Sequence, residues 1–253
     1  MKTKKFFMYW QPYIICFALL ILWQTVSSLG IVPKFMLPAP SDVVKAFCSD
    51  FSLIMSHTKV TLIEAVLGLS VAILLSLLMA ILMDRNKMIY RSLYPLIIVS
   101  QTIPTIAIAP LLVLWFGYEM LPKVILIVVT CFFPMTIGLL NGLAAVDSDV
   151  IHLMKSMGAT ESQIYKHVKL PTTLSYFFAG LRISVSYSII GAVISEWLGG
   201  VEGLGVYMIR VKKSYNFDKM FAVIFLISII SLLLMQLVNI LQKKVMPWEE
   251  KTN

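Results

Sequence analysis

Val60-Thr61-Leu62-Ile63-Glu64-Ala65-Val66-Leu67-Gly68-Leu69-Ser70-Val71-Ala72-Ile73-Leu74-Leu75-Ser76-Leu77-Leu78-Met79-Ala80-Ile81-Leu82-Met83 is apolar on every side of a helix, with one ionisable residue, Glu64, near its start. A helix with no polar face has nothing to turn towards water, so it is buried in a large core or in lipid. At about 1.5 Å rise per residue the run exceeds the roughly 30 Å of hydrocarbon in a bilayer. In lipid every backbone N–H and C=O must find its partner within the chain, which a helix achieves alone. The stretch therefore reads as a transmembrane helix and makes the fold class all-α.

The same reading extends outward in both directions. Apolar segments of spanning length recur at Tyr13–Leu29, Val60–Met83, Leu96–Phe116, Val124–Val146, Leu174–Leu198 and Met220–Val245, giving six expected spans. The chain of 253 residues is 59% hydrophobic and 13% charged, against about 25% charged in a soluble domain. One integral membrane domain over 1–253 is expected, with longer connections at 30–59, 147–173 and 199–219. The first apolar segment follows Lys2, Lys4 and Lys5, as a signal peptide would. Its length and the lack of a small-x-small cleavage site favour a retained span.

Lys and Arg distribution orients the spans. With both termini inside, the cytoplasmic parts hold Lys2, Lys4, Lys5, Arg85, Lys87, Arg91, Lys155, Lys166, Lys169, Lys243, Lys244 and Lys251. The outer parts hold Lys34, Lys45, Lys59, Lys123, Arg210, Lys212, Lys213 and Lys219, while Arg182 lies within a span. Twelve against eight places both ends in the cytoplasm. The net charge of +8 is then an orientation signal; scattered between apolar segments, it does not describe a nucleic-acid surface. Cys16 and Cys131 fall in spans and Cys48 stands alone, with no metal spacing, so the thiols read as small hydrophobes.

Proline and small residues mark the departures from plain lipid-facing helix. Pro33, Pro38 and Pro40 exclude a helix across that stretch, after which Ser41 or Asp42 is placed to cap a short surface helix from about Val43. A tight basic loop is expected over Asp84–Tyr94. Pro104 and Pro110 interrupt the third span and Pro134 the fourth, each freeing a carbonyl that a neighbour or water must satisfy. These breaks suit either a static kink or a helix lining a path. In the fifth span Gly180, Ser184, Ser188, Gly191 and Ser195 share one helix face. Such a stripe allows close helix contact in lipid or forms the wall of a polar pathway. Arg182 is placed to snorkel to the cytoplasmic headgroups, and Glu196 sits at the outer end of the same span with a structural or gating role.

The loop at 147–173 is the one sizeable polar segment between spans. Asp147 or Asp149 can cap a helix over Val150–Met157, whose Ile151, Met154 and Met157 recur at helical spacing. Gly158 can take the left-handed conformation that ends such a helix, and Thr160 with Gln163 forms a capping box for the next. Ile164, Tyr165 and Val168 follow, and Pro171 marks the return to the membrane. Helix, sharp turn, helix is the expectation: a knob for a soluble partner, or an amphipathic hairpin resting on the bilayer.

Gly158, nine residues, then Val168-Lys169-Leu170-Pro171 resembles the signature E-A-A-x3-G-x9-I-x-L-P of the membrane subunits of binding-protein-dependent ABC importers. His152-Leu153-Met154 stands where the signature has Glu-Ala-Ala, and Val168 replaces the isoleucine. The resemblance covers about residues 60–245. Ala109-Pro110-Leu111, Trp115-Phe116-Gly117, Gly180-Leu181-Arg182 and Gly203-Leu204-Gly205 are similar to the nitrate, sulfonate and taurine branch. Phe132-Phe133-Pro134 and Glu196-Trp197-Leu198-Gly199 look closer to permeases for the thiamine pyrimidine precursor, hydroxymethylpyrimidine.

The resemblance implies a type I importer permease fold in the cell membrane. It implies a homodimer forming one pathway, with two cytoplasmic ATPase subunits and an extracytoplasmic substrate-binding protein. It places coupling to the ATPase at Met157, Gly158, Ala159, Thr160, Gln163, Ile164, Leu170 and Pro171. Candidate pathway residues are Pro104, Pro110, Ser184, Ser188, Ser195 and Glu196. No cofactor is expected in this chain; ATP and Mg belong to the partner subunits, since no G-x-x-x-x-G-K-[ST] loop is present. Sister substrates are a sulfonate, taurine, nitrate or riboflavin. A membrane enzyme would need a converging set of reactive groups, whereas His57, His152 and His167 are scattered and no G-x-S-x-G elbow occurs. A stand-alone secondary transporter of six spans would want intramembrane coupling charges and leaves the cytoplasmic knob unexplained.

Overall fold

The structure, a computed structural model, describes residues 2–33 and 35–248, with side chains from residue 14 onward. The orienting side chains of Lys2, Lys4, Lys5, Lys34 and Lys251 lie outside the described set. The described residues are helical with no strand: α1 (Lys2–Ser28), α2 (Pro40–Ser49), α3 (Phe51–Arg85), α4 (Lys87–Ser100), α5 (Thr105–Phe116), α6 (Met120–Ala144), α7 (Ser148–Ser156), α8 (Glu161–Ile164), a π turn (Tyr165–Lys169), α9 (Leu170–Gly199), α10 (Leu204–Lys213) and α11 (Phe217–Val245). Four helical segments are long and apolar enough to cross a bilayer. The bent pair α4 and α5 makes a fifth, and the described apolar part of α1, Ile14–Ser28, is shorter than a span and lies where the first was expected.

Three expectations are corrected. The third span is not one helix: α4 and α5 meet at 99°, because Pro104 lacks a donor and Gln101–Pro104 leaves the helical path. The expected Asp84–Tyr94 loop shrinks to Asn86, whose Oδ1 accepts from Met88 and Ile89 N–H at 2.9 and 3.3 Å and so caps α4 at once. The surface helix begins at Pro40, earlier than Val43, because proline at the first helical position loses no bond.

Contacts divide the chain into two compact units, Met1–His57 with Tyr207–Ile227 and Thr58–Val206 with Ser228–Asn253. In the first, the Trp23 ring stacks on Phe225 with centroids 5.6 Å apart and leans on Phe221 at 6.0 Å. Ser27 Oγ donates to the Leu37 carbonyl at 2.8 Å, fixing the proline-rich turn. Val43 and Ala46 form the buried side of α2. Asp50 accepts from Lys219 Nζ at 2.7 Å and from Tyr207 O–H at 2.8 Å. The lysine, ahead of the other partners, holds the Asp50 carboxyl below the usual carboxylate range, while burial and then that hydrogen bond push the Tyr207 phenol up.

The second unit is built on α6 and α9. Their backbones approach so closely that a Cβ on Gly138 would come to 3.2 Å from the Tyr176 carbonyl, and one on Gly142 to 3.0 Å from Thr173 Cα. With no hydrophobic drive between helices in lipid, such close packing is what holds them. Met135, Phe178, Leu181, Val185, Val238 and Met246 form a cluster that brings in α11. Arg182 is held by a neighbour: its Nη1 donates to Asn239 Oδ1 at 3.3 Å and to Gln242 Oε1, both on α11. An arginine held by two amide oxygens of a neighbouring helix avoids the cost of unpaired charge in hydrocarbon. Leu74, Leu78, Leu232 and Leu233 are exposed, as lipid-facing residues should be.

Candidate functional site

The loop at 147–173 folds through two consecutive local motifs. Asp147 caps α7, its side chain accepting from Asp149 N–H at 2.8 Å. At the other end the Ala159 N–H reaches back to the Met154 carbonyl and the Gly158 N–H to the Lys155 carbonyl, both at 3.0 Å. These are the two bonds of a Schellman ending, and they require Gly158 at φ +80°. The chain then turns directly into a capping box: Thr160 N–H donates to Gln163 Oε1 at 2.8 Å and Gln163 N–H to Thr160 Oγ1 at 3.3 Å. Lys155 and Glu161 close the turn with an exposed ion pair at 2.7 Å.

The resulting knob presents Leu153 and Met157, 61% and 79% exposed, beside a shallow hollow of about 280 Å³ bounded by Met154, Ala159, Gln163 and His167. Thr160 is also exposed. Ile164, grouped with these by sequence, is buried beneath the knob. Leu170 is exposed and Pro171 half-buried at the start of α9. Pro171 does not start a new helix: Glu161–Gly199 is continuous, and the π turn at Tyr165–Lys169 widens the coil where a proline ring would press on the carbonyl four residues earlier. Lys169 Nζ grips both oxygens of Asp84, at 2.7 and 3.0 Å, tying this helix to the end of α3. Sequence reading missed that bond, since nothing local joins residues so far apart.

The proposed pathway residues separate into two groups. Ser184, Ser188 and Ser195 are buried, and Ser184 meets α6. Ser184 Oγ donates to the Cys131 carbonyl and Cys131 Sγ to the Ser184 carbonyl, each at 3.2 Å. Ser188 and Ser195 donate to carbonyls of their own helix, at 2.8 and 2.7 Å. The close-contact reading of the stripe is the one the packing matches. Pro110 is exposed within α5 and does not line the cavity described next. Pro104 does: it stands at the break between α4 and α5, which opens on a cavity of about 550 Å³ against α6 and α9. Gln101, Thr105, Thr130, Phe133 and Tyr187 contribute to its wall. The α9 face used is Ile183, Tyr187, Ile190, Gly191 and Ile194, so Gly191 of the small-residue stripe is on the wall while each of its three serines sits one residue from a lining residue.

Glu196 is buried and acts as a clamp. Its carboxylate accepts from Thr61 O–H and from the Gly205 N–H, both at 2.6 Å, and Thr61 Oγ1 in turn accepts the Leu204 N–H at 2.9 Å. The clamp fixes the start of α10 to α3 and α9. It also explains Gly203, where a Cβ would fall 2.2 Å from the Glu196 carboxyl carbon. Nearby, Lys123 Nζ meets Glu64 Oε1 at 2.6 Å with both side chains buried, so neither charge is left alone in lipid. In the first unit, Phe35, Asp42, Lys45, Tyr215 and Phe217 border an open hollow of about 460 Å³. Tyr215 has φ 56° and is 74% exposed.

Comparison with known proteins agrees with this geometry. Residues 72–247 match the family model described as binding-protein-dependent transport system inner membrane component. A formylaminopyrimidine transport permease protein of Halalkalibacterium halodurans is 36% identical over 242 residues, 95% of this chain and 96% of that one. The riboflavin transport system permease protein of Chloroflexus aurantiacus is 29% identical over 91% of this chain and 87% of its own length. An inward-facing structure of a methionine ABC transporter superposes with a TM-score of 0.65 at 19% identity, over 77% of this chain and 95% of that chain; it speaks for the fold.

Proposed function

Because this chain belongs to the binding-protein-dependent transport system inner membrane components, we propose that two copies of it form one translocation pathway for a thiamine pyrimidine precursor. It is the membrane-spanning permease subunit of an ABC importer, a multi-pass membrane protein that works with ATPase and binding-protein partners. In our reading both termini are cytoplasmic and two separate ATPase subunits supply ATP and Mg chemistry. They dock on the knob around Gly158, and the continuous helix from Glu161 to Gly199 carries their movement into the membrane. The binding protein delivers its cargo to the segments 30–59 and 199–219.

The observation that carries the coupling assignment is the paired motif at Gly158 and Thr160. A loop fixed by a Schellman ending and a capping box is rigid enough to transmit displacement, and it presents exposed apolar residues that suit a groove on a soluble protein. ATP binding and hydrolysis then bias an equilibrium between states of the pathway. The pyrimidine assignment is supported by the 36% identical relative.

The test is purification of the tagged chain with its partners, followed by uptake into vesicles. Co-purification of an ATPase subunit, and import of a labelled hydroxymethyl-aminopyrimidine that requires ATP and the binding protein, are expected. Uptake by the chain alone, driven by an ion gradient, would replace this reading with the secondary transporter.

A further inference from the structure

We infer that the cavity at the broken third span is a binding site of the permease itself, selective for a flat, uncharged nitrogen heterocycle over an oxoanion. The inference rests on the transport reading above and deepens it by giving the permease its own selectivity. Non-helical backbone at membrane depth is tolerated only where it is buried in protein or lines a polar cavity, and discontinuous helices are a recurring way of building substrate sites in transporters. Here α4 and α5 diverge at 99° around Gln101–Pro104, and the space they open, about 550 Å³, lies in the size range of small-molecule sites.

Its wall has the composition of such a site. Phe133 on α6 and Tyr187 on α9 supply ring faces suited to a heteroaromatic plane. Gln101, at the break, carries both a carbonyl acceptor and an amide donor, the pair that complements an amino group beside a ring nitrogen. Thr105 adds a hydroxyl, and Thr130, whose own proton goes to the Ile127 carbonyl at 2.8 Å, adds an acceptor oxygen. Among the described residues, no Lys, Arg or His lines the cavity. A sulfonate or nitrate would need a cation or a convergent set of donors to offset its desolvation, so the lining disfavours the cargo of the sister branch. Within the same helix, Ser184 and Ser188 are engaged elsewhere, so α9 contributes to this wall chiefly through the Tyr187 ring.

The experiment uses the complete transporter, with its ATPase subunits, in lipid nanodiscs without nucleotide or binding protein. Binding of labelled hydroxymethyl-aminopyrimidine is measured by equilibrium dialysis, and ATP-driven import is measured in parallel with the binding protein present. Saturable binding is expected. Gln101→Leu and Tyr187→Leu should each weaken it about tenfold or more, Tyr187→Phe should stay within about threefold, and taurine should not compete. Leu232→Ala, on the lipid-facing side of α11, should bind as wild type. Retention of the ATPase subunit shows that each variant is assembled.

Import without saturable binding would overturn the site and leave the transport reading standing. So would binding indifferent to both leucine variants, or displaced by taurine. Neither import nor binding would sink both, whereas binding that needs Gln101 and Tyr187 without import would uphold the site and refute the transport assignment.

Discussion

Replacing Gly158 isolates one physical quantity, the cost of a left-handed residue. A Cβ built there meets nothing within 4 Å, so no collision contributes and the surrounding packing is untouched. What remains is the backbone, held at φ +80° by the Ala159-to-Met154 and Gly158-to-Lys155 bonds. For an ordinary L-residue that conformation costs about 1–2 kcal/mol, or roughly 5- to 30-fold in the population of the formed turn. Asparagine tolerates it better, and a β-branched residue worse. The expected order of ATPase retention on the tagged permease, and of ATP-driven uptake, is therefore Gly158, then Gly158→Asn, Gly158→Ala and Gly158→Val. Membrane insertion should be equal in all four, because the position is exposed. Equal defects in the Asn and Val variants would show that added bulk at the contact, not turn geometry, matters. Wild-type uptake with Gly158→Val would remove the turn from the coupling mechanism altogether.

At the Glu196 clamp, Gly203→Ala should impair uptake severely, because its Cβ would overlap the carboxylate. Combined with Glu196→Ala the two losses should be non-additive by about 1 kcal/mol or more in thermal unfolding, since the second change removes the object of the clash; simple additivity would refute the clamp. Asp84→Asn should loosen α9 from α3 by on the order of 1–2 kcal/mol, between the values for exposed and buried pairs. The charge swap Asp84→Lys with Lys169→Asp should recover more coupled ATPase activity than either single change. The lowered pKa of Asp50 gives a pH signature of known sign. Its contribution to stability is complete above the unfolded value of about 3.9 and disappears as pH falls through the lower folded value. Protection of the 30–59 segment in hydrogen exchange should be level from neutral pH down to about pH 4 and then fall, and Asp50→Asn should abolish that dependence.

What could be read from the sequence was set by how far each interaction reaches. The spans are legible from composition because lipid exposure acts on every residue of a helix. The knob is legible because a Schellman ending and a capping box use residues within a few positions of one another, and Gly158, Thr160 and Gln163 name those positions directly. The break at 101–104 was hidden: apolar residues flank it on both sides, and Pro104 alone reads equally as a kink. The serine stripe is ambiguous for a related reason. Small residues permit close packing and also suit a polar wall, and the stripe does not point to its neighbours Ile183 and Tyr187, which line the cavity. Asp84 with Lys169, Glu64 with Lys123, and Thr61 with Glu196 are pairings of distant residues that only the folded chain reveals.

The π turn at Tyr165–Lys169 sets an angular phase along the helix that passes from knob to membrane. An α-helix advances about 100° per residue, and a π turn accommodates one residue more than the α repeat allows. The knob and the cavity face of α9 are therefore indexed to each other like teeth on two gears fixed to one shaft. Because the π turn absorbs that extra residue, shortening the chain by one within 165–169 should restore a plain α-helix with the phase unchanged, whereas adding one residue in the regular helix just beyond it should turn one gear by about 100°. Cross-linking from engineered cysteines at 157 and 187 to fixed partners would read that rotation directly, and an unchanged cross-link pattern would show that the shaft has slack.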